Sequence, residues 1–529
     1  MRGSLRGQSI WLLTLFGWML LRTLPIRASA SKIGLSRATN FRTMTTMKSE
    51  ADFAPLFKKI DELKPRYLER LSKAIAIPAV SADESMRAHV VRKADFLAAE
   101  LERLGFTDVE KRELGPQPAP VLTPGLQLPP VVLARYGQDA GKKTVLVYAH
   151  YDVQPANKDD GWATEPFEFY VDEKNGIMRG RGVTDDTGPL TGWLNVIEAF
   201  QEAGVELPVN LVMCFEGMEE SGSIGLEELI EQEATKYFAK VDSVCISDNY
   251  WLGTKKPVLT YGLRGVNYYQ VAIEGPGADL HSGLFGGAVA EPMTDLVKVL
   301  DSLVDSQGRI LIDGIDEMVA PVTDAERALY DKIDYSLEEF NQAVGANISL
   351  YEDKRDILMH RWRYPSLSLH GVEGAFYGAG EKTVIPAKVI GKFSIRTVPD
   401  MDNDRLNKLV IEHCRKAFEK LGSPNKCTPE VLHCGAYWLS NPFNAAFSAA
   451  SKAIQAVYNV EPDFTREGGS IPITLFFEQK LKTDVLLLPM GRGDDGAHSI
   501  NEKLDLSNYF GGMKTMAAYL YYYSISESK

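Results

Sequence analysis

Cysteine is scarce in this sequence. Its 529 residues include five cysteines, and none of them forms a Cys-X-X-Cys pair. Disulfide-stabilised small domains and zinc fingers need dense or regularly spaced cysteines, so neither class is the basis of the fold. Unpaired cysteines are typical of a reducing compartment, and the composition therefore favours a cytoplasmic location.

The chain also lacks an excess of positive charge and any long hydrophobic run. It has 58 Lys and Arg against 71 Asp and Glu, a formal net charge of −13. Nucleic-acid-binding proteins present basic surfaces, so we expect a small or cationic partner and no nucleic acid. No segment has 18 unbroken apolar residues, which predicts that no part of the chain spans a membrane.

The first 47 residues differ from the rest. Residues 1–49 contain eight basic residues and no acidic one, and a mostly apolar run at 10–21 precedes Ala28-Ser29-Ala30. This order is typical of a secretory signal, whereas the Arg- and Ser-rich sequence up to residue 42 is more typical of a transit peptide. Translation from Met47 would give a protein without a leader. We expect 1–47 to be a leader or targeting segment that the mature protein need not contain, so secreted and organellar locations stay open beside the cytoplasm.

The remaining sequence alternates between helix-like and strand-like segments. Apolar residues recur at spacings of three and four over 54–77 and 88–104, which predicts amphipathic helices. Short apolar runs at 144–148, 209–215 and 241–246 are separated by helix-like stretches. Strands that alternate with helices predict an α/β fold around a mostly parallel sheet.

The pattern changes near residue 264. Alternating and amphipathic patterns then predict a strand, a helix, a strand and a helix at 266–273, 291–303, 389–396 and 405–421. The apolar run at 485–488 again resembles the short strands of the first, α/β pattern. We therefore expect an α+β domain at 264–433, inserted into an α/β domain that is formed by 48–263 and 434–529.

Residues that can bind metal ions follow several of the predicted strands. His150 and Asp152 come after the strand at 144–148, and side chains two apart on an extended chain point to the same side. Asp152 can therefore orient the His150 imidazole, as carboxylates do beside metal-binding histidines. For this pair alone, a strand-end histidine with ordinary loop hydrogen bonds is the more common case.

Two further segments place carboxylates beside glycines. Asp185 and Asp186 would repel each other unless a cation or hydrogen bonds held them, so Asp185 is a candidate bridging ligand, with a helix N-cap as the alternative. Glu219 and Glu220 follow the strand at 209–215. If Glu220 binds metal, Glu219 is placed to act as a general base, whereas a solvated acidic loop is the alternative.

Two later residues complete the set of candidate ligands. Asp248 follows the strand at 241–246, and His498 lies in a glycine-flanked loop after 485–488. Each is ambiguous by itself, since Asp is common in turns. Together the candidates at strand ends and loops of one α/β pattern predict a metal centre made of His150, Asp185, Glu220, Asp248 and His498.

The sequence around these residues resembles the di-metal peptidase family that contains carnosinase, aminoacylase and glutamate carboxypeptidase, and within it the cytosolic non-specific dipeptidases. The likeness runs from about residue 54 to the C-terminus. It is carried by ISDNYWLG, HRWRYPSLSLHG, KTVIP, TREGGSIP and DDGAHS at 246–253, 360–371, 382–386, 465–472 and 494–499. The resemblance implies a di-metal hydrolase catalytic domain with an inserted lid and dimerisation domain.

The resemblance also implies a role for each candidate. Asp185 would bridge two divalent cations, and a ligand set without Cys suits Zn or Mn. The other ligands would divide between the two metals, with His150 and Asp248 on one and Glu220 and His498 on the other. Glu219 would be the general base for a metal-bridging hydroxide, and Asp152 would orient the first histidine.

A substrate site and a homodimer follow from the same resemblance. His281 would act across the dimer interface and polarise the scissile carbonyl, with an ordinary loop histidine as the alternative. Arg396 would clamp the dipeptide carboxylate, although a structural ion pair would also explain it. The residues expected to contact substrate are Glu219, Asp248, His281, Thr383, Arg396, Ser470 and His498.

One position departs from the resemblance. The relatives have Lys after the aspartate pair, whereas this chain has Thr187, which removes a positive charge near the predicted metals. We expect a changed rate or metal preference rather than loss of activity. The predicted function is metal-dependent hydrolysis of dipeptides of the carnosine or Cys-Gly type. An N-acyl-amino-acid hydrolase, a secreted carnosinase and a catalytically inactive dimeric binding protein stay open as alternatives.

Overall fold

The computed structural model describes residues 45–118 and 125–527. The predicted leader at 1–47 lies outside these residues except for its last three positions, of which Met47 packs in the main hydrophobic core. None of the helices in the described ranges is both long and apolar enough to cross a membrane.

The described residues form 14 α-helices and 18 β-strands. The helices are α1 Phe53–Glu62, α2 Lys64–Ile75, α3 Arg87–Arg103, α4 Thr187–Ala203, α5 Leu226–Glu233, α6 Ser282–Phe285, α7 Pro292–Asp301, α8 Asp324–Lys332, α9 Leu337–Val344, α10 Lys354–Trp362, α11 Asn403–Glu419, α12 Ala445–Tyr458, α13 Pro472–Leu481 and α14 Leu506–Ser524. The strands are β1 Thr107–Arg112, β2 Val131–Tyr136, β3 Thr144–His150, β4 Tyr170–Asp172, β5 Ile177–Arg179, β6 Asn210–Glu216, β7 Ser243–Ile246, β8 Val258–Leu263, β9 Gly265–Glu274, β10 Leu280–His281, β11 Ser366–Glu373, β12 Val384–Ile385, β13 Lys388–Thr397, β14 Lys426–Gly435, β15 Trp438–Leu439, β16 Asp463–Glu467, β17 Asp484–Leu487 and β18 Lys503–Asp505.

The largest sheet has nine strands in the order β1-β2-β6-β3-β7-β17-β8-β15, with β16 paired to β8. Its centre, β6-β3-β7-β17, is parallel, and antiparallel pairs lie on either side. Every residue of β3, β6 and β7 is buried, as expected for strands covered on both faces. The predicted α/β fold is therefore confirmed.

A second, four-stranded antiparallel sheet has the order β11-β13-β9-β14. Helices α7 and α11 pack against it, and its apolar side chains form a hydrophobic core of their own. In the chain it lies between β8 and β15 of the large sheet. We propose that the inserted domain is built around this sheet, whose last strand ends at Gly435, two residues beyond the expected boundary.

One predicted helix differs in the structure. The segment 54–77 forms two helices, α1 and α2, which meet at Leu63. Pro65 lies in the first turn of α2. In this position its missing N–H costs no hydrogen bond, but proline cannot continue the preceding helix, which therefore ends. The amphipathic spacing continues through the break, so periodicity alone did not reveal it.

Candidate metal centre

The carboxyl ends of parallel strands place the first candidate ligands. His150 is the last residue of β3, Asp248 lies two residues after β7, and Glu220 lies four residues after β6. Because neighbouring parallel strands end at one edge of a sheet, side chains from distant parts of the chain meet there. His150 and Asp248 are buried, so their polar atoms need partners.

The five predicted ligands form two groups that share Asp185. Asp185 Oδ1 lies 3.1 Å from His150 Nε2, which in turn lies 3.7 Å from Asp248 Oδ1. Asp185 Oδ2 lies 3.1 Å from His498 Nε2, which lies 3.1 Å from Glu220 Oε2. The two oxygens of one carboxylate thus face two separate groups of donor atoms, as a bridging ligand requires.

The chemistry of the two groups fits two divalent cations. Imidazole nitrogens and carboxylate oxygens without a thiolate suit Zn or Mn. Burial raises the pKa of Asp248 to about 6, and Asp185 and Glu220 contribute by repulsion. Hydrogen bonds to Asp185 and Glu220 raise the pKa of His498 to about 11. Carboxylates that repel each other and stabilise an imidazolium form a pocket that favours positive charge.

The segment that carries Asp185 is held by a buried carboxylate, Glu502. Its oxygens accept hydrogen bonds from the backbone N–H groups of Gly182 at 2.8 Å, Thr184 at 2.9 Å and Asp185 at 3.1 Å. Glu502 also pairs with Arg181 Nη1 at 2.8 Å. Sequence analysis missed Glu502 because these partners precede it by more than 300 residues and no motif surrounds it.

Asp186, rather than Asp185, occupies the N-cap position of α4, and its side chain makes no capping bond. Its Oδ2 instead accepts the backbone N–H of His150 at 3.2 Å. An aspartate thus occupies the N-cap position, as the alternative expected, but it is Asp186 and it does not cap the helix through its side chain. Both aspartates face the strand end that carries His150.

Asp152 links the first ligand to the segment after β6. Its Oδ1 lies 3.5 Å from His150 Nδ1 and accepts the N–H of Glu219 at 3.2 Å. Its Oδ2 accepts the N–H of Glu220 at 3.2 Å. A second polar residue that sequence analysis missed, Gln154, donates to Glu220 Oε2 at 2.7 Å. These contacts support the orienting role expected for Asp152, which stays a prediction.

Glu219 belongs to neither ligand group among the described residues. Burial raises its pKa well above the usual range, and the carboxylates of Asp248 and Glu220 raise it further. A carboxyl group with raised proton affinity beside a metal centre is suited to take up a proton and to release it again.

His281 and Thr383 lie together at the short sheet formed by β10 and β12. The N–H of Ser282 donates to the Thr383 carbonyl at 3.2 Å, and the side chains of both predicted residues are exposed. His281 Nδ1 accepts the N–H of Gly283 at 3.0 Å. Within the described part of the chain, no hydrogen bond or ion pair joins His281 to the five ligands.

Arg396 and Ser470 also lie together. Arg396 Nη1 donates to Ser470 Oγ at 2.9 Å, and this hydroxyl donates to the Arg264 carbonyl at 2.5 Å. Burial lowers the pKa of Arg396. Burial, Arg396 and Arg361 together lower the pKa of Arg264 to about 10. Over residues 45–118 and 125–527, Arg396 has no carboxylate within salt-bridge distance, so the ion-pair alternative lacks a partner, whereas an incoming anion would be bound well.

Comparison with known proteins identifies the family. The sequence model described as "Peptidase family M20/M25/M40" matches residues 146–522. The chain belongs to this family. The resemblance predicted from the motifs is therefore confirmed.

Two relatives in this family match over most of their length. The chain is 68% identical over 471 residues to the Cys-Gly metallodipeptidase DUG1 of Saccharomyces cerevisiae, which covers 89% of this chain and 98% of the relative. It is 43% identical over 466 residues to the Beta-Ala-His dipeptidase of Homo sapiens, with coverage of 88% and 91%. The solved structure of the di-peptidase Dug1p from Saccharomyces cerevisiae is similar with a TM-score of 0.87 and 67% identity, covering 90% of this chain and 99% of that one.

Proposed function

We propose that this protein is a metallodipeptidase that hydrolyses the peptide bond of small dipeptides with two divalent ions, Zn or Mn. The observation that carries the proposal is Asp185, whose two carboxylate oxygens each face a histidine and a second carboxylate. Full-length relatives named Cys-Gly metallodipeptidase and Beta-Ala-His dipeptidase support Cys-Gly and carnosine-type substrates.

The metals would be held by the two groups that share Asp185, and when bound they would polarise the scissile carbonyl and activate water. Glu219 takes a proton from the attacking water and delivers it to the leaving amine. Asp152 fixes the backbone of Glu219 and therefore the position of this base.

The substrate's carboxylate binds at Arg396, where the guanidinium has a hydroxyl partner and no carboxylate. A planar guanidinium can form two parallel hydrogen bonds with such a group. Ser470 and Thr383 lie beside Arg396 and His281 respectively and would contact the same dipeptide. Asp248 and His498 would contact it from the metal side.

Two of the alternatives have less support. An N-acyl-amino-acid hydrolase would use the same metal chemistry, but the relatives that match over their full length are named dipeptidases. An inactive binding protein would not need Glu219 in addition to all five ligands. We therefore prefer the dipeptidase.

We propose a cytoplasmic location. All five cysteines lie in the described residues and none forms a disulfide, which suits a reducing compartment. A secreted or organellar form would depend on the leader, which lies outside the described residues apart from positions 45–47.

We also propose a homodimer in which His281 completes the active site of the partner subunit. Leu284 and Phe285, beside His281, expose 75% and 42% of their surface. Apolar side chains clustered on one region of a soluble protein mark an interaction surface. The absence of contacts between His281 and the ligands of its own chain, in the described residues, agrees with a role across an interface.

Glu219→Gln keeps the shape of the side chain but removes its proton affinity. We expect kcat to fall about 100-fold or more, in the range of general acid–base effects, while binding of two Mn ions persists. Steady-state hydrolysis of Cys-Gly and carnosine and a Mn titration measure the two quantities. Wild-type-like turnover by the variant would refute the assignment of Glu219 as the base.

Mixed dimers test the action of His281 across the interface. His281→Ala and Glu219→Gln homodimers should each be inactive, but a heterodimer of the two has one intact site. Equal mixing with free subunit exchange should therefore restore about a quarter of wild-type activity. Activity that stays at the level of the separate variants, once exchange is verified by mass, would exclude the trans arrangement.

Arg396→Lys keeps the positive charge but loses the planar pair of donors. We expect KM for free dipeptides to rise about tenfold or more, with a smaller change in kcat. The wild type should discriminate strongly against dipeptide C-terminal amides, and this discrimination should shrink in the variant. Equal discrimination by both proteins would show that the substrate carboxylate binds elsewhere.

A further inference from the structure

A buried lysine lies beside the segment that carries the metal ligands. Lys93, on α3, exposes 1% of its surface, and its Nζ donates to Thr187 Oγ1 at 3.0 Å. Thr187 is the first residue of α4 and directly follows Asp185 and Asp186. In the part of the chain that the structure describes, Lys93 has no carboxylate within salt-bridge distance.

An ammonium group with one neutral partner is costly to bury, so other charges must compensate for it. The charges that face Lys93 are Asp152 and Glu502, and both raise its pKa against the larger effect of burial, which lowers it to about 7. Asp152 binds the backbone of Glu219 and Glu220. Glu502 binds the backbone of the Asp185 segment.

The surroundings of the metal centre contain many buried carboxylates. Those that are at least nine-tenths buried are Asp152, Asp185, Asp186, Glu216, Asp248, Asp495 and Glu502. Arg181 neutralises Glu502 by direct pairing. Arg87, which is 6% exposed, also faces Asp152. Lys93 adds a further buried cation to this region when its amine is protonated.

We propose that Lys93 and Thr187 form a positioning pair, in which the protonated Lys93 places a positive charge beside the Asp185 segment as a counter-charge to Asp152 and Glu502. The inference rests on the proposed function, because it concerns the same metal centre. Among the described residues, no hydrogen bond or ion pair joins Lys93 to a candidate ligand, so it acts through the two carboxylates.

The sign of each effect follows from Coulomb's law. In the metal-free protein, the ammonium offsets repulsion among the carboxylates, so its loss lowers stability. In the loaded protein it opposes the metal cations, so its loss tightens metal binding. Loss of the ammonium also removes its attraction for the negative charge that develops on the substrate carbonyl oxygen. We therefore expect kcat to fall with little change in KM.

The test uses the full chain and moves the charge from one helix to the other. The variants are Lys93→Met, Thr187→Lys and the double variant Lys93→Met/Thr187→Lys. Lys143→Met is the matched control. Among the described residues, its ammonium group donates to Ser526 and to the Tyr523 carbonyl and lies over the Tyr523 ring, and Lys143 directly precedes β3, whose other end carries His150. For each protein we would measure the Mn dissociation constant by chelator competition, kcat and KM for Cys-Gly at saturating Mn, and Tm with and without Mn.

We expect Lys93→Met to lower kcat about tenfold and to tighten Mn binding several-fold, with a larger drop in Tm for the metal-free protein than for the loaded one. The double variant should bring kcat and the Mn dissociation constant back to within about twofold of wild type. Thr187→Lys alone places two ammonium groups together and should weaken Mn binding. Lys143→Met should change neither kcat nor Mn binding.

One contrary result is that Lys93→Met lowers Tm equally in the metal-free and the Mn-loaded protein and leaves kcat and Mn binding unchanged. That result would show that Lys93 only packs, and would overturn the proposal. A double variant that is no better than Lys93→Met would also overturn it. If Lys93→Met does not fold, a folded and active double variant supports the counter-charge, and an unfolded one contradicts it. Failure of the proposed function is seen separately, as a wild type that binds no Mn or hydrolyses no dipeptide.

Discussion

Repulsion among buried carboxylates is the constraint on which the site depends. Asp185, Asp248 and Glu220 approach two histidines within a few ångströms, and carboxylates held this close together repel one another unless cations lie between them. The fold keeps them together by backbone hydrogen bonds rather than by ion pairs alone. Asp152 and Glu502 each accept such bonds from a segment that carries ligands.

The division of the molecule into two sheets separates two kinds of charge. The carboxyl edge of the nine-stranded sheet gathers carboxylates, whereas Arg396 lies on the four-stranded sheet and Arg264 directly precedes it. A dipeptide carries an ammonium and a carboxylate, so it would be complementary to the proposed substrate site, in which these two regions supply a negative and a positive side. This polarity supports dipeptides over neutral amides as substrates.

Local patterns predicted the ligands because each lies within a few residues of a strand end or in a glycine-flanked loop. His150 and Asp248 were chosen as candidates in this way, and Asp185 was chosen because a pair of adjacent aspartates implies repulsion; the structure brings these candidates together. Supporting residues could not be predicted, since their partners are distant in the chain: Glu502 bonds to backbone groups more than 300 residues earlier. In the sequence, Lys93 is one polar residue of an amphipathic helix. The expectation that Thr187 removes a charge therefore did not include the ammonium group of Lys93 beside it. The break between α1 and α2 was missed because the apolar period continues across Pro65.

The central claim is that one carboxylate, that of Asp185, bridges two metal ions. Loading the metal-free protein with Mn and recording its electron paramagnetic resonance spectrum tests this most directly, because two bridged Mn ions are magnetically coupled and separate ions are not. The account predicts two Mn per chain with a coupled spectrum, and one uncoupled Mn at most in Asp185→Asn. Two uncoupled ions in the wild type, or an unchanged spectrum in Asp185→Asn, would contradict it.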